Sequence, residues 1–406
     1  MEGASIKNRI GGISLQSVME LLSFAVILLF SAHDSLVRLI PHVPFSEIGI
    51  ALLVVLTLLS LCSLRTINIR AVAIFVAFYL FIVIQYMFAT GDREEYIFKL
   101  LINPYNATSL WAYFIVFSFT QDAKKKEKML VVLAYLNTSL IIITVLLGRY
   151  SAEDKELNYM GLGITCATWI PFLIQNVFSK GVKWRLVHIA YLCGVGVFAA
   201  IYGNRGSLVA LAAYLLYFLI AKTRMKRKIL IIAVVGIVLI VFVYFQNQVI
   251  EGFLLIVDRV GIYSRNLNLL LKGNLTYSTH RTDTIWMNVF NAIKEQPWTG
   301  YGLCYDRVLN GGSGLYAHNL VLEAWLSFGV IAGTVLLLLH AIMGVKGCLI
   351  KEGSWANIIA PYFITSTVLL MFNNSFCQLA FFWAPLGMYL AYLSFGRKKA
   401  EKEVES

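Results

Sequence analysis

His318 stands in Tyr316-Ala317-His318-Asn319, directly before a long apolar run, and is one of six histidines in the chain. An imidazole titrates near about pH 6.5, so at neutral pH much of it is an uncharged ring that can take a proton. A helix N-terminus beside it favours that neutral form. Two readings stand: a general base, or an interfacial histidine hydrogen-bonded to a neighbour. Glu323 follows five residues later, inside the apolar run. A carboxylate there is costly unless paired, so it holds a cation or orients a polar partner. Arg205 sits in Gly203-Asn204-Arg205-Gly206-Ser207, a tight hairpin at the start of another apolar run. A cation at a helix start opposes the macrodipole. Arg205 therefore either converges with the exposed N–H groups on an anion or snorkels to lipid headgroups. Arg281 lies four residues before Ile285 and eight before Val289, where it reaches a phosphate or anchors at the interface. Arg259, Arg265 and Lys272 are further cations of the same segment, each a surface charge or a ligand contact. The planar guanidinium fork suits bidentate phosphate contacts. The chemistry this set suits is an anionic, phosphate-bearing ligand handled beside a neutral base.

Other chemistries lack their residues. The sequence has no phosphate-binding Gly-rich loop with Lys-Ser/Thr, no dinucleotide fingerprint, no His-Glu-x-x-His, no Asp-x-Asp and no Gly-x-Ser-x-Gly elbow. None of Cys62, Cys166, Cys193, Cys304, Cys348 and Cys377 forms a Cys-x-x-Cys pair, so neither a metal centre nor a disulfide framework is expected.

The elements that must position these residues are membrane helices. Of 406 residues 59% are apolar and only 14% charged, against roughly 25% charged in soluble domains, and the mean hydropathy is +0.74. A soluble core could not bury so much apolar surface. A disordered chain, a disulfide scaffold and a cytosolic enzyme are excluded. Apolar runs fall near 15–32, 45–64, 71–90, 105–120, 129–148, 158–179, 186–203, 206–221, 229–246, 317–344, 356–372 and 376–396, each near the ~20 residues a span needs. Lys7 and Arg9 precede the first run and no Ala-x-Ala site follows, so that run is expected to be retained. With the N-terminus inside, 22 Lys and Arg fall on inside segments and 12 outside, six of those in one long loop. The positive-inside rule then predicts twelve spans with both ends cytoplasmic. The net charge of +12 is read as cytoplasmic loops facing anionic lipid, not as a nucleic-acid surface.

The predicted organisation is all-α: spans one to nine over 1–246, a large extracytoplasmic loop over 247–316, spans ten to twelve over 317–396, and a cytoplasmic tail over 397–406. Within the loop, Ile285, Trp286, Val289 and Ile293 make one helical face over 280–296, with Ser278 or Thr279 as cap and Pro297 as stop. Such a helix lies on the membrane surface or packs over the spans. Trp298–Gly302 and Gly311–Gly314 read as turns.

The order of these pieces carries a resemblance. Gly203-Asn204-Arg205-Gly206-Ser207 heads a span; Arg281-x-x-x-x-Trp286, Pro297-Trp298-x-Gly300-Tyr301-Gly302 and His318-Asn319 follow, with Glu323 and Gly329 in the next helix. This set, over about 200–335, resembles the O-antigen ligase / Wzy-type polysaccharide polymerase superfamily. The resemblance implies a GT-C-like, metal-independent glycosyltransferase of the bacterial cytoplasmic membrane, without a cofactor. Its donor would be an oligosaccharide on undecaprenyl pyrophosphate at the extracytoplasmic face. It implies that Arg205 and Arg281 attend the donor pyrophosphate and that His318 activates the acceptor hydroxyl. Arg259 and Arg265 are expected to serve a second pyrophosphate, with Glu323 also in the substrate site. Expected partners are membrane lipids, a flippase and a chain-length regulator. A ligase acting on lipid A-core is the alternative. A reading from another class also stands: twelve spans suit a lipid-linked oligosaccharide flippase or transporter. Prolines inside spans are few (Pro171, Pro361, Pro385), and the charges cluster outside the bilayer centre. Both points favour an enzyme.

Overall fold

A computed structural model describes residues 9–10, 13–62, 68–102, 112–149, 155–179, 181–222, 251–252, 281–311, 316–350, 353–372, 374–377 and 379–396. Apart from a two-residue ladder pairing Arg9 with Ser14 and Ile10 with Ile13, these residues build helices. The first five are α1 (Leu15–Ser31), α2 (His33–Leu39), α3 (Phe45–Cys62), α4 (Ile69–Met87) and α5 (Asp92–Ile102). Next come α6 (Ala123–Leu146), α7 (Lys155–Phe178), α8 (Arg185–Tyr202) and α9 (Arg205–Lys222). After the long segment follow α10 (Met287–Glu295), α11 (Tyr305–Leu309), α12 (Leu320–Cys348), α13 (Gly353–Phe372) and α14 (Ala384–Ala391).

Seven of the described helices are long and apolar enough to cross a membrane: α4, α6, α7 from Gly161, α8, α9, α12 and α13. The pair α1 and α2, bent by 73°, makes an eighth if it is one broken span. The chain is therefore a polytopic helical membrane protein. The twelve expected spans are not all found among the described residues. The 229–246 span lies outside them, as does most of the 247–316 loop. Around 105–120 only a short helix over 112–118 is described. The last expected span, 376–396, is interrupted: Ala380–Phe382 is a 3₁₀ turn, α14 is eight residues long, and Tyr392–Gly396 is π-helical.

Burial sorts the helices into layers. α7 and α13 form the centre. Tyr362 of α13 is fully buried among Tyr113, Phe117, Trp169 and Phe172, with ring centroids 5.2 to 6.3 Å away. α4, α8 and α12 instead leave large apolar side chains open, among them Leu80, Ile84, Leu186, Val187, Ile331 and Leu338. In water such belts would be aggregation surfaces; against lipid they are the expected outer face.

Candidate functional site

The site is built at the start of α12. Asn319 adopts an extended backbone and caps the helix: its Oδ1 accepts from the N–H of Val321 at 3.0 Å and of Leu322 at 3.2 Å. This satisfies two of the four orphan donors of the first turn. His318 precedes it, 5% exposed, with a φ of 51°. A non-glycine residue held there costs about 1–2 kcal/mol, so the surroundings must impose it.

They impose it through Ala317, whose peptide groups are gripped on both sides. The Ala317 N–H donates to Asp306 Oδ2 at 2.8 Å, and its carbonyl accepts from Trp286 Nε1 at 2.8 Å. Asp306 is itself held. Its Oδ1 accepts from Arg307 at 3.1 Å, and its backbone carbonyl accepts from the Asn310 amide at 2.8 Å. Asp306 and Arg307 are both almost wholly buried. The Arg307 guanidinium also stands 5.6 Å from the Tyr316 ring and 6.0 Å from Tyr96, and the Tyr316 ring lies 4.0 Å from the His318 ring. Burial works against the Arg307 charge, but the acidic groups of Cys304, Asp306 and Glu323 outweigh it and raise its pKa above the ordinary value. Arg307 is thus a fixed cation.

The expected amphipathic helix packs over α12. Ile285, Val289 and Ile293 are buried as the spacing predicts, and Val289 and Ile293 form a small cluster with Ala292, Ala317 and Leu326. Its first turn, Arg281–Trp286, is π-helical, which changes the register of Arg281 against that face from the α-helical one. Trp286 ends this turn, so its bond to Ala317 joins the Arg281 turn to the His318 loop.

The Pro-Trp-x-Gly-Tyr-Gly stretch does more than turn. α12 breaks at Gly329, where φ is 77° and ψ 165°. A break strands backbone groups that must be paired elsewhere. The 297–302 segment supplies the partners: Tyr301 N–H to Leu326 O at 2.7 Å, Gly302 N–H to Ser327 O at 3.0 Å, and Val330 N–H to Pro297 O at 2.7 Å. A Cβ on Gly329 would lie 2.1 Å from the Trp298 carbonyl oxygen, so only glycine fits. Arg93 of α5 fixes the next residue by donating to Leu303 O at 3.1 Å and Gln85 Oε1 at 2.5 Å.

Glu323 has both oxygens engaged. Ser375 Oγ donates to one and the Phe376 N–H to the other at 3.2 Å. It therefore ties α12 to the irregular 374–377 segment, which is why the last expected span begins late. Arg205 starts α9 on a different element. Asn204 Oδ1 caps that helix, accepting from Ser207 N at 2.7 Å and Oγ at 2.9 Å. The hairpin lies so close to α7 that a Cβ on Gly163 would come within 2.6 Å of Asn204 N. Arg259 and Arg265, with Lys272, lie outside the described residues, and for Arg281 only the backbone is described. Of the expected site residues, the structure joins the Arg281 turn to His318 and sets Glu323 one turn behind. Sequence reading missed Asp306, Arg307 and Arg93. Their signal was a charged pair next to turn glycines, in a segment too polar to be a span.

Residues 189–337 match the O-antigen ligase family. This stretch holds Arg205, Arg281, the helix break and His318. No curated protein matches the sequence. The resemblance to the O-antigen ligase / Wzy-type superfamily is borne out, and members of that family are glycosyltransferase-like enzymes, ligases or polymerases.

Proposed function

We propose that this protein joins undecaprenyl-pyrophosphate-linked oligosaccharide units at the extracytoplasmic face of the bacterial cytoplasmic membrane, for capsule, O-antigen or exopolysaccharide synthesis. Arg205 and Arg281 hold the donor pyrophosphate, and His318 is the base. The observation that carries this reading is the Trp286–Ala317 hydrogen bond, which couples the turn of one basic residue to the loop of the histidine. In the reaction the acceptor oxygen attacks the anomeric carbon and a glycosidic C–O bond forms. The C–O bond to pyrophosphate breaks, and the carrier pyrophosphate leaves with the electron pair. The hydroxyl proton passes to His318. Fixed guanidinium charges stabilise the leaving group, and holding both chains at one place removes much of the entropic barrier. Direct displacement inverts the anomeric centre.

Arg259 and Arg265 are assigned to the second lipid-linked pyrophosphate that a polymerase must accommodate. Glu323 acts by fixing the 374–377 segment beside the acceptor path. A flippase and a chain-length regulator are the proposed partners. The family match favours a second reading, transfer of the chain to lipid A-core by a ligase. Reconstitution of the purified protein with a defined lipid-linked repeat unit tests both. Longer lipid-linked chains support the polymerase. Product only when lipid A-core is added supports the ligase. Movement of glycolipid between leaflets with no new glycosidic bond contradicts both.

A further inference from the structure

The opposite end of the bundle has a cavity of about 100 Å³ between α1 and the start of α6. It lies at the far end of α12 from His318: Glu127 of α6 takes the Asn357 amide at 2.7 Å, and Asn357 opens α13, which follows the roughly 40 Å run of α12. The cavity contains two carboxylates, and both have partners. Glu20 pairs with Lys125 at 3.6 Å and accepts from Gln16 at 3.4 Å; Asp122 caps α6 by accepting from Lys125 N at 3.1 Å.

The donors are in the reverse condition. Lys126 lines the cavity and is only 6% exposed. Among the described residues its ammonium makes no salt bridge and meets no hydrogen-bond acceptor; it lies over the Phe117 ring, 5.9 Å from the centroid, and feels the Glu20 carboxylate only at longer range. Thr120, 3% exposed, also lines the cavity, and its hydroxyl has no hydrogen-bond partner. The first turn of α6 stands beside them; Asp122 takes the Lys125 and Lys126 N–H groups, and the turn carries the positive end of the helix dipole. A buried ammonium whose carboxylate neighbour, Glu20, is already paired with Lys125 is expensive. An ammonium, a hydroxyl donor and a helix start that share one cavity ask for a compact group with several acceptor oxygens.

We propose that this cavity binds a phosphate group, supplied by a lipid headgroup or by the free ion, with Lys126 as its counter-charge and Thr120 as a donor. This site is independent of the glycosyl-transfer reading, which concerns the other end of the molecule. The test uses the purified full chain in detergent. Native mass spectrometry follows binding of phosphatidic acid against diacylglycerol, and thermal unfolding follows inorganic phosphate against chloride. One of the two phosphate probes should bind the wild-type protein; retention of phosphatidic acid alone assigns the lipid source, and stabilisation by inorganic phosphate alone assigns the free ion. Lys126→Met should weaken that binding tenfold or more, about 1.4 kcal/mol. Thr120→Val keeps the charge and should weaken it several-fold, which decides the matter if Lys126→Met does not fold. Absence of binding by either probe, or wild-type binding by both variants, overturns the proposal.

Discussion

At the His318 end, the Asp306–Arg307 pair, both Glu323 oxygens and both peptide groups of Ala317 find partners within the protein. At the α6 end, the Lys126 ammonium and the Thr120 hydroxyl find no acceptor among the described residues. The first arrangement is what fixes a reactive group in one position: a buried loop whose flanking peptide groups and charges are paired admits few alternatives. The second is what a protein keeps when the partner arrives from outside. Burial alone does not separate them, because both ends hide charge. Pairing does.

Substitutions separate the two ends further. Asp306→Ala should have the largest effect, since it strands the buried Arg307 charge and frees the Ala317 N–H; a loss of about 3–5 kcal/mol is expected, visible as a collapse of thermal stability in detergent. Gly329→Ala should follow. The left-handed backbone alone costs about 1–3 kcal/mol, and the clash with Trp298 adds to it, so limited proteolysis should cut near 297–302 faster. Trp286→Phe removes one donor and leaves the Ala317 carbonyl unpaired, worth about 1–2 kcal/mol; turnover should fall more than stability, because the Arg281 turn loses its tether. Asn319→Ala removes only a cap, about 1 kcal/mol, and should give the smallest drop in unfolding temperature. Lys126→Met marks the contrast. Without phosphate it should leave stability unchanged or raised, because it removes a buried charge that makes no salt bridge. A large loss from Lys126→Met, or none from Asp306→Ala, would erase the distinction between the two ends.

Much of this was legible in the sequence. The helical class follows from apolar runs, and the loop helix follows from the spacing of Ile285, Val289 and Ile293, all buried in the structure. The order Arg205, Arg281, His318 carried the resemblance to the family that residues 189–337 match. The helix break was less legible, because Gly329 sits inside an unbroken apolar run. Only the backbone pairing with Pro297–Gly302 explains why those two glycine-bearing motifs go together. The signal of Asp306 and Arg307 was easy to misread for a related reason. A charged pair in a polar loop reads as solvent-exposed, and its burial depends on tertiary packing against Tyr96 and Tyr316 from distant positions. Lys126 was hidden in the basic stretch Lys124-Lys125-Lys126-Glu127-Lys128, which counts toward the cytoplasmic charge.

The central claim is that His318, held by its gripped neighbour Ala317, takes the acceptor proton. Single-turnover glycosyl transfer by the reconstituted His318→Ala variant, with a defined lipid-linked donor and acceptor, tests it most directly. The account predicts intact folding and donor binding with the bond-forming rate reduced at least about a hundredfold. A rate equal to that of the wild-type protein would contradict it.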